Sequence, residues 1–230
     1  DLTQSEHLKA YGIAYWVLNN GEEVQWLLNY RGGSFLVSDK SRTQRELKIR
    51  GVDFEVVSDG QALQILDEVR SPSKNMDAIL LETAPKIAVY SPVGNMPWDD
   101  AVTLVLSYAE IPYTVIYDKE VLDDELLLYD WLHLHHEDFT GQYGKFYRAF
   151  RTAPWYIQGK KEAEALASSL GYDKVSEAKL AVALKIRDFV VGGGFMFAMC
   201  SATDTFDIAL AAEGVDICEP MFDGDPSDAG

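Results

Sequence analysis

The sequence predicts an α/β protein built on a mainly parallel sheet with helices on both faces. Three observations lead there. Short continuous apolar runs, the length of buried strands, recur through the second half of the chain. Segments with apolar residues at helical spacing lie between them. Gly, Pro and Asx residues fall at the joints, where turns need them. Strands alternating with amphipathic helices make βαβ units. Their crossovers are right-handed, and ligands sit beyond the carboxyl ends of the strands.

The first part of the chain, 1–85, reads as a smaller α/β unit. Residues 6–18 read as a helix, with Leu8, Tyr11, Tyr15 and Leu18 on one face and Asn19-Asn20-Gly21 as its stop. A strand follows over 23–29, then an Arg31-Gly32-Gly33 turn and a short extended piece over 34–37. Residues 41–50 read as a basic helix closed by Gly51, its charges a solvated face. Alternation predicts a strand over 52–57, helical repeats a helix over 61–69, and Pro72 opens a linker over 71–85.

A second series, 86–230, is more regular. Ile87-Ala88-Val89-Tyr90 is a strand, followed by a loop over 91–96 and a helix opened by Pro97. Tyr113–Tyr117 is the next strand, with a short acidic helix at 120–127. Tyr129–His135 is the third strand. Its alternation sends His133 and His135 to one face and Leu132, Leu134 and His136 to the other. Residues 143–170 are aromatic-rich and largely helical, and Lys179–Val191 is a strong helix. Gly192-Gly193-Gly194 ends it before the apolar run Phe195–Met199.

Cys200 ends that run. Ser201, Thr203 and Asp204 then offer N-cap chemistry for a helix over 206–212, and Val215–Cys218 reads as a last strand. Strand, tight turn with a nucleophile at its apex, helix: this is the logic of a nucleophile elbow. A helix N-terminus also favours a thiolate and presents N–H groups to an anion. The alternative for Cys200 is plain packing, since free cysteine is often a buried small hydrophobe.

Composition bounds the partners. The chain has 230 residues, 47% hydrophobic and 25% charged, as in ordinary globular proteins. No apolar run reaches the length of a membrane span. A net charge of −17 argues against nucleic acid as a main partner. Two cysteines make no disulfide framework. The chain opens on Asp1 without a signal-peptide pattern, and Phe222–Gly230 reads as loop with no closing element, so a further C-terminal segment is expected. The compartment stays open.

On a parallel sheet, Cys200 and the loops 91–98 and 135–144 open on one edge. That convergence allows acyl-transfer chemistry on a small amide or peptide-like substrate. Cys200 is the nucleophile, His135 or His136 its base, and the N–H groups of Ser201 and Gly141 the oxyanion donors. Trp98, Glu137, Thr140, Gln142 and Asp204 line the substrate. No cofactor is expected. Two other readings stand beside this one. The His133, His135 and Glu137 cluster allows a metal-dependent hydrolase, since His-x-His on a strand is a ligand spacing. A non-catalytic module with Trp98, Trp131 and Trp155 around a ligand cleft is the other. His7 comes too early to place. There is no Walker A loop, Gly-x-Gly-x-x-Gly, His-Glu-x-x-His or Cys-x-x-Cys.

The stretches Phe195-Met196-Phe197-Ala198-Met199-Cys200-Ser201-Ala202 and Tyr129-Asp130-Trp131-Leu132-His133-Leu134-His135 resemble the elbow and the oxyanion strand of the class I glutamine amidotransferase-like superfamily. More closely, the runs Pro97–Leu104, His133–Tyr143 and Ala198–Asp207 look like bacterial proteins known as asparagine synthetase B. The resemblance implies a flavodoxin-like fold and a cysteine nucleophile at Cys200. It departs from the pattern at Ala198 and Ala202, where the superfamily's elbow carries glycines. The superfamily's His and Glu partners follow the elbow, whereas no histidine follows His136 here. The resemblance therefore implies that those partners lie beyond Gly230 and that the piece alone is inactive. The chain has neither the N-terminal cysteine nor the Ser-Gly-Gly-x-Asp-Ser loop of asparagine synthesis.

Overall fold

The computed structural model describes residues 4–92, 101–143 and 146–228. The chain divides into two units, Asp1–Ala84 with Pro97–Pro112, and Pro85–Met96 with Tyr113–Gly230. No helix among the described residues is long and apolar enough to cross a membrane.

The first unit holds the helices α1 (His7–Asn19), α2 (Ser41–Arg50), α3 (Asp59–Val69) and α4 (Ala101–Tyr108). Its sheet is antiparallel, from β1 (Val24–Leu28), β2 (Ser34–Val37) and β3 (Asp77–Leu81), in the order β2-β1-β3. Trp26 sits opposite Phe35 on one side and Ile79 on the other. Ile13, Ala14 and Val17 of α1 pack with Val24, Leu47 and Val52 to form the core. Glycine at position 12 lets α1 touch α4, because a Cβ there would lie 1.8 Å from the Ala109 carbonyl oxygen.

Two expectations fail in this unit. Residues 52–57 form no strand; Val52 is buried, but Phe54 and Val56 are exposed. The central strand β1 is already paired on both edges, so alternation there finds no partner. The stretch 71–85, expected as a linker, supplies β3 instead, because its apolar Ala78–Leu81 pairs along β1.

The second unit is the parallel α/β layer. β4 (Ile87–Tyr90), β5 (Thr114–Ile116), β6 (Trp131–Leu134) and β7 (Phe195–Ala198) form a four-stranded sheet in the order β5-β4-β6-β7. All three pairings are parallel. The order 2-1-3-4 is that of flavodoxin-like folds. The flanking helices are α5 (Asp118–Leu122), α6 (Tyr147–Phe150), α7 (Pro154–Ser169), α8 (Val175–Val191), α9 (Ser201–Ala211) and α10 (Pro220–Asp223). A 3-10 turn over Glu125–Leu128 closes the acidic segment after α5.

One sheet face, with Ala88, Tyr90, Ile116, Leu132 and Leu134, is buried against Val121 of α5, Val182 and Ile186 of α8, and Phe206 and Ala209 of α9. Each fully buried aliphatic side chain of this set contributes about 1.5–3 kcal/mol of transfer free energy.

The expected strand over 215–218 does not form. Its backbone is spent on local bonds: the Cys218 N–H donates to Asp216 Oδ1, the Asp216 N–H to Asp228 Oδ2, and the Ile217 carbonyl accepts from the Gln142 amide. Asx chemistry of this kind competes with sheet pairing.

Candidate functional site

The carboxyl ends of β6 and β7 carry the site. β6 pairs with β7 so that Leu134 faces Ala198, and the Met199 N–H donates to the Leu134 carbonyl at 3.0 Å. The strand register thus runs up to the residue before Cys200.

The chain then turns within one residue. Cys200 has φ 52 and ψ −138, and α9 starts at Ser201. The helix was expected to start near 206; Cys200 itself takes the N-cap position, so Ser201, Thr203 and Asp204 are helical residues. A non-glycine residue held there stores about 1–3 kcal/mol of backbone strain. Its carbonyl accepts from the Thr203 hydroxyl at 2.6 Å, and its thiol side is exposed. The sharp strand-to-helix turn is elbow geometry with alanines on both sides. Alanine is the smallest residue that keeps a Cβ, and Ala202 is fully buried in the core.

Three consecutive carbonyls tie the 135–137 loop to the elbow. The Ala202 N–H donates to His135 O at 3.2 Å, the Ser201 hydroxyl to His136 O at 3.1 Å, and the Thr205 hydroxyl to Glu137 O at 2.9 Å. Cys200 and the histidine loop are therefore held side by side by backbone-directed bonds. The Ser201 N–H belongs to the first turn of α9, where amides lack helical acceptors.

The histidines depart from strict alternation. His133 is fully buried and stacks on Phe197 at 5.9 Å between ring centroids, and His135 lies 6.2 Å from His133 on the same side. His136 was expected on the opposite face. Its ring instead packs on His135 at 4.5 Å, with the two Nδ1 atoms 2.9 Å apart. β6 ends at Leu134, so the period of two lapses before His136. His135 is half-buried and His136 exposed.

The remaining predicted residues divide. Glu137 is buried and accepts the His135 N–H at 3.1 Å, which orients the loop. Thr140 is buried and bound to Asp138 through both its N–H and its hydroxyl, at 3.0 and 2.6 Å. The Gln142 side chain donates to Ile217 O at 3.0 Å. Gly141 sits at φ +77, where a Cβ would lie 2.7 Å from the Ser176 backbone; the loop passes α8 too closely for any side chain. Asp204 is exposed in the first turn of α9. Trp98 lies outside the described residues. Trp131 opens β6 at its amino end, opposite Phe195, and so stands at the other end of the strands from Cys200. Trp155 is exposed on α7. His7 begins α1 in the other unit.

Sequence reasoning missed a buried polar cluster on the same carboxyl edge. Lys179 of α8 donates to Tyr90 Oη at 2.9 Å, Tyr117 Oη at 3.0 Å and Asp118 Oδ1 at 2.8 Å, and Tyr90 also donates to Asp118. Tyr90 ends β4 and Tyr117 follows β5. Burial works to neutralise the Lys179 ammonium, but Tyr117 and Asp118 hold it above its ordinary range. Burial, and then the Asp118 charge, push the Tyr90 hydroxyl well up. Glu137 adds to the raised values of both Tyr90 and Tyr117, so the cluster continues electrostatically into the histidine loop. The signal was present: Lys179 lies three residues before Val182 and seven before Ile186, on the apolar stripe of its helix.

The sequence allows a metal centre at His133, His135 and Glu137. Among the described residues, the side chains that gather closely enough are instead Asp216, Cys218 and Asp223, within 4.8 Å of one another. Lys174 already serves these acids, at 2.7 Å from Asp216 and 3.3 Å from Asp223, and it also binds Asp225 at 2.7 Å. Cys218 is buried and donates to Thr140 O at 3.2 Å, and burial pushes its thiol up to about 11. Lys174 thus already occupies the carboxylates of this donor set, and a protonated thiol is a poor metal ligand.

Comparison of the chain with protein-family models, with curated proteins and with solved structures finds no match.

Proposed function

We propose that the chain is a cysteine-nucleophile amide hydrolase or amidotransferase of the glutamine amidotransferase type. The observation that carries this reading is the backbone of Cys200, a non-glycine residue held at φ 52 and ψ −138 between a parallel strand and a helix. Strain of this kind persists where surrounding structure over-determines it, and it clusters at active sites.

The chemistry follows from the neighbours. The Cys200 sulfur attacks the amide carbonyl, and the Ser201 N–H supports the oxyanion at the positive end of α9. His135 or His136 takes the thiol proton and returns it to the departing ammonia. Water then attacks the thioester carbonyl, and the released acid leaves Cys200 free again. Glu137, through the His135 N–H, fixes the loop that presents the base.

The test is thiol reactivity at neutral pH. Cys200 is expected to alkylate with iodoacetamide faster than a small free thiol, while buried Cys218 stays unmodified. Cys200→Ser is expected to abolish the labelling. A Cys200 that reacts no faster than the free thiol rules the reading out.

A further inference from the structure

Between Asp138 and Glu162 the sequence contains no acidic residue, in a chain with 37 Asp and Glu among 230 residues. This acid-free stretch carries α6 and the start of α7. It also displays an unusual set of exposed rings. Phe146, Phe150 and Trp155 are 49%, 42% and 53% exposed, and Ile157, two residues after Trp155 on α7, is 42% exposed. The rings form one patch: Phe146 lies 6.1 Å from Phe150 and 5.7 Å from Trp155, and Phe150 lies 5.2 Å from Trp155. Arg148 in α6 and Arg151 at its C-cap are both exposed and alternate with these rings along the chain.

We infer that this aromatic and basic patch docks the protein on the surface of an anionic lipid bilayer. Two properties select that occupant. Trp and Phe rings are at home at the headgroup level of a membrane, and exposed arginines on the same short segment can meet lipid phosphates. The patch is also small. A specific protein interface uses roughly 20–30 residues a side, far more than four apolar side chains and two arginines. Stacking of nucleic-acid bases needs open ring faces. Here Phe146 meets Phe150 and Trp155 at 62° and 83°, an edge-to-face cluster rather than a flat stacking platform.

The net charge of −17 does not forbid this. At physiological ionic strength the Debye length is about 8 Å, so acidic groups elsewhere are screened while the arginines act at contact. Binding by a single small patch is reversible, because stable anchoring takes two signals. No helix among the described residues is long and apolar enough to span; the protein lies on the bilayer.

The experiment is co-sedimentation of the 230-residue chain with two kinds of vesicle. One is phosphatidylcholine alone, the other equal parts phosphatidylcholine and phosphatidylglycerol. The chain is expected to partition onto the mixed vesicles more strongly, and added salt to release it. Arg148→Gln with Arg151→Gln is expected to weaken binding to mixed vesicles about thirtyfold, from the usual contribution of a basic residue near an anionic surface. Phe150→Ser with Trp155→Ser is expected to lose binding to both vesicle types. All four residues are exposed, and far-ultraviolet circular dichroism of each variant checks that the fold stands. Equal partition onto the two vesicle types, no partition onto either, or unchanged binding by both variants overturns the proposal.

Discussion

Cys200 is where one residue's backbone and the site's chemistry meet. Its φ of 52 places a Cβ where only glycine is comfortable, and the strain of about 1–3 kcal/mol is opposed by the packing around it. Cys200→Gly is therefore expected to raise stability by about 1 kcal/mol, net of the greater freedom glycine has in the unfolded chain. Urea unfolding checks this; a destabilised variant would mean the turn is relaxed. The identity of the residue was visible in the sequence, as was its place after an apolar run. The sign of φ was not, because it is set by the bonds from Ala202, Ser201 and Thr205 to the neighbouring strand's loop.

At the scale of elements, α8 joins the sheet to the site. Its apolar stripe includes Val182, Ala183 and Ile186, all fully buried, and Lys179 on the same stripe reaches the ends of β4 and β5. Lys179→Met removes the only cation seen with Asp118 among its described contacts, and leaves that carboxylate buried among Tyr90 and Tyr117. Breaking a buried pair in this way costs about 3–5 kcal/mol. Denaturant unfolding is expected to show that loss, and a change below about 1 kcal/mol would mean that the cluster adds little. The strands β4, β6 and β7 were legible as short apolar runs. β3 and the non-strands at 52–57 and 215–218 were not, because pairing depends on which edges are open and which backbone groups are already bonded. His136 shows the same limit: alternation predicts a face only while the strand lasts.

The whole molecule responds to alkali through groups spread over the second unit. Burial raises the Cys218 thiol from its ordinary 9.0 to about 11. Burial likewise raises Tyr143 and Tyr117, in each case as the leading cause. An acid whose value is raised on folding keeps its proton in the folded state after the unfolded chain has lost it. Stability is then complete below the unfolded value and declines as pH rises. The urea midpoint is expected to fall between pH 9.0 and about 11, and to fall less in Cys218→Ala. A midpoint flat across that window would contradict the buried, protonated thiol.

The sequence by itself determined the α/β class, the run of parallel strands and the placing of Cys200 at a strand's carboxyl end, because apolar period and turn residues are local properties. Only the tertiary structure decided three further things: the strained turn at Cys200, the loop of His135, His136 and Glu137 bonded beside it, and the buried Lys179 cluster below. Each of these arises where residues distant in sequence supply the hydrogen-bond partners that a buried or strained group requires, and no local pattern encodes which partner that will be.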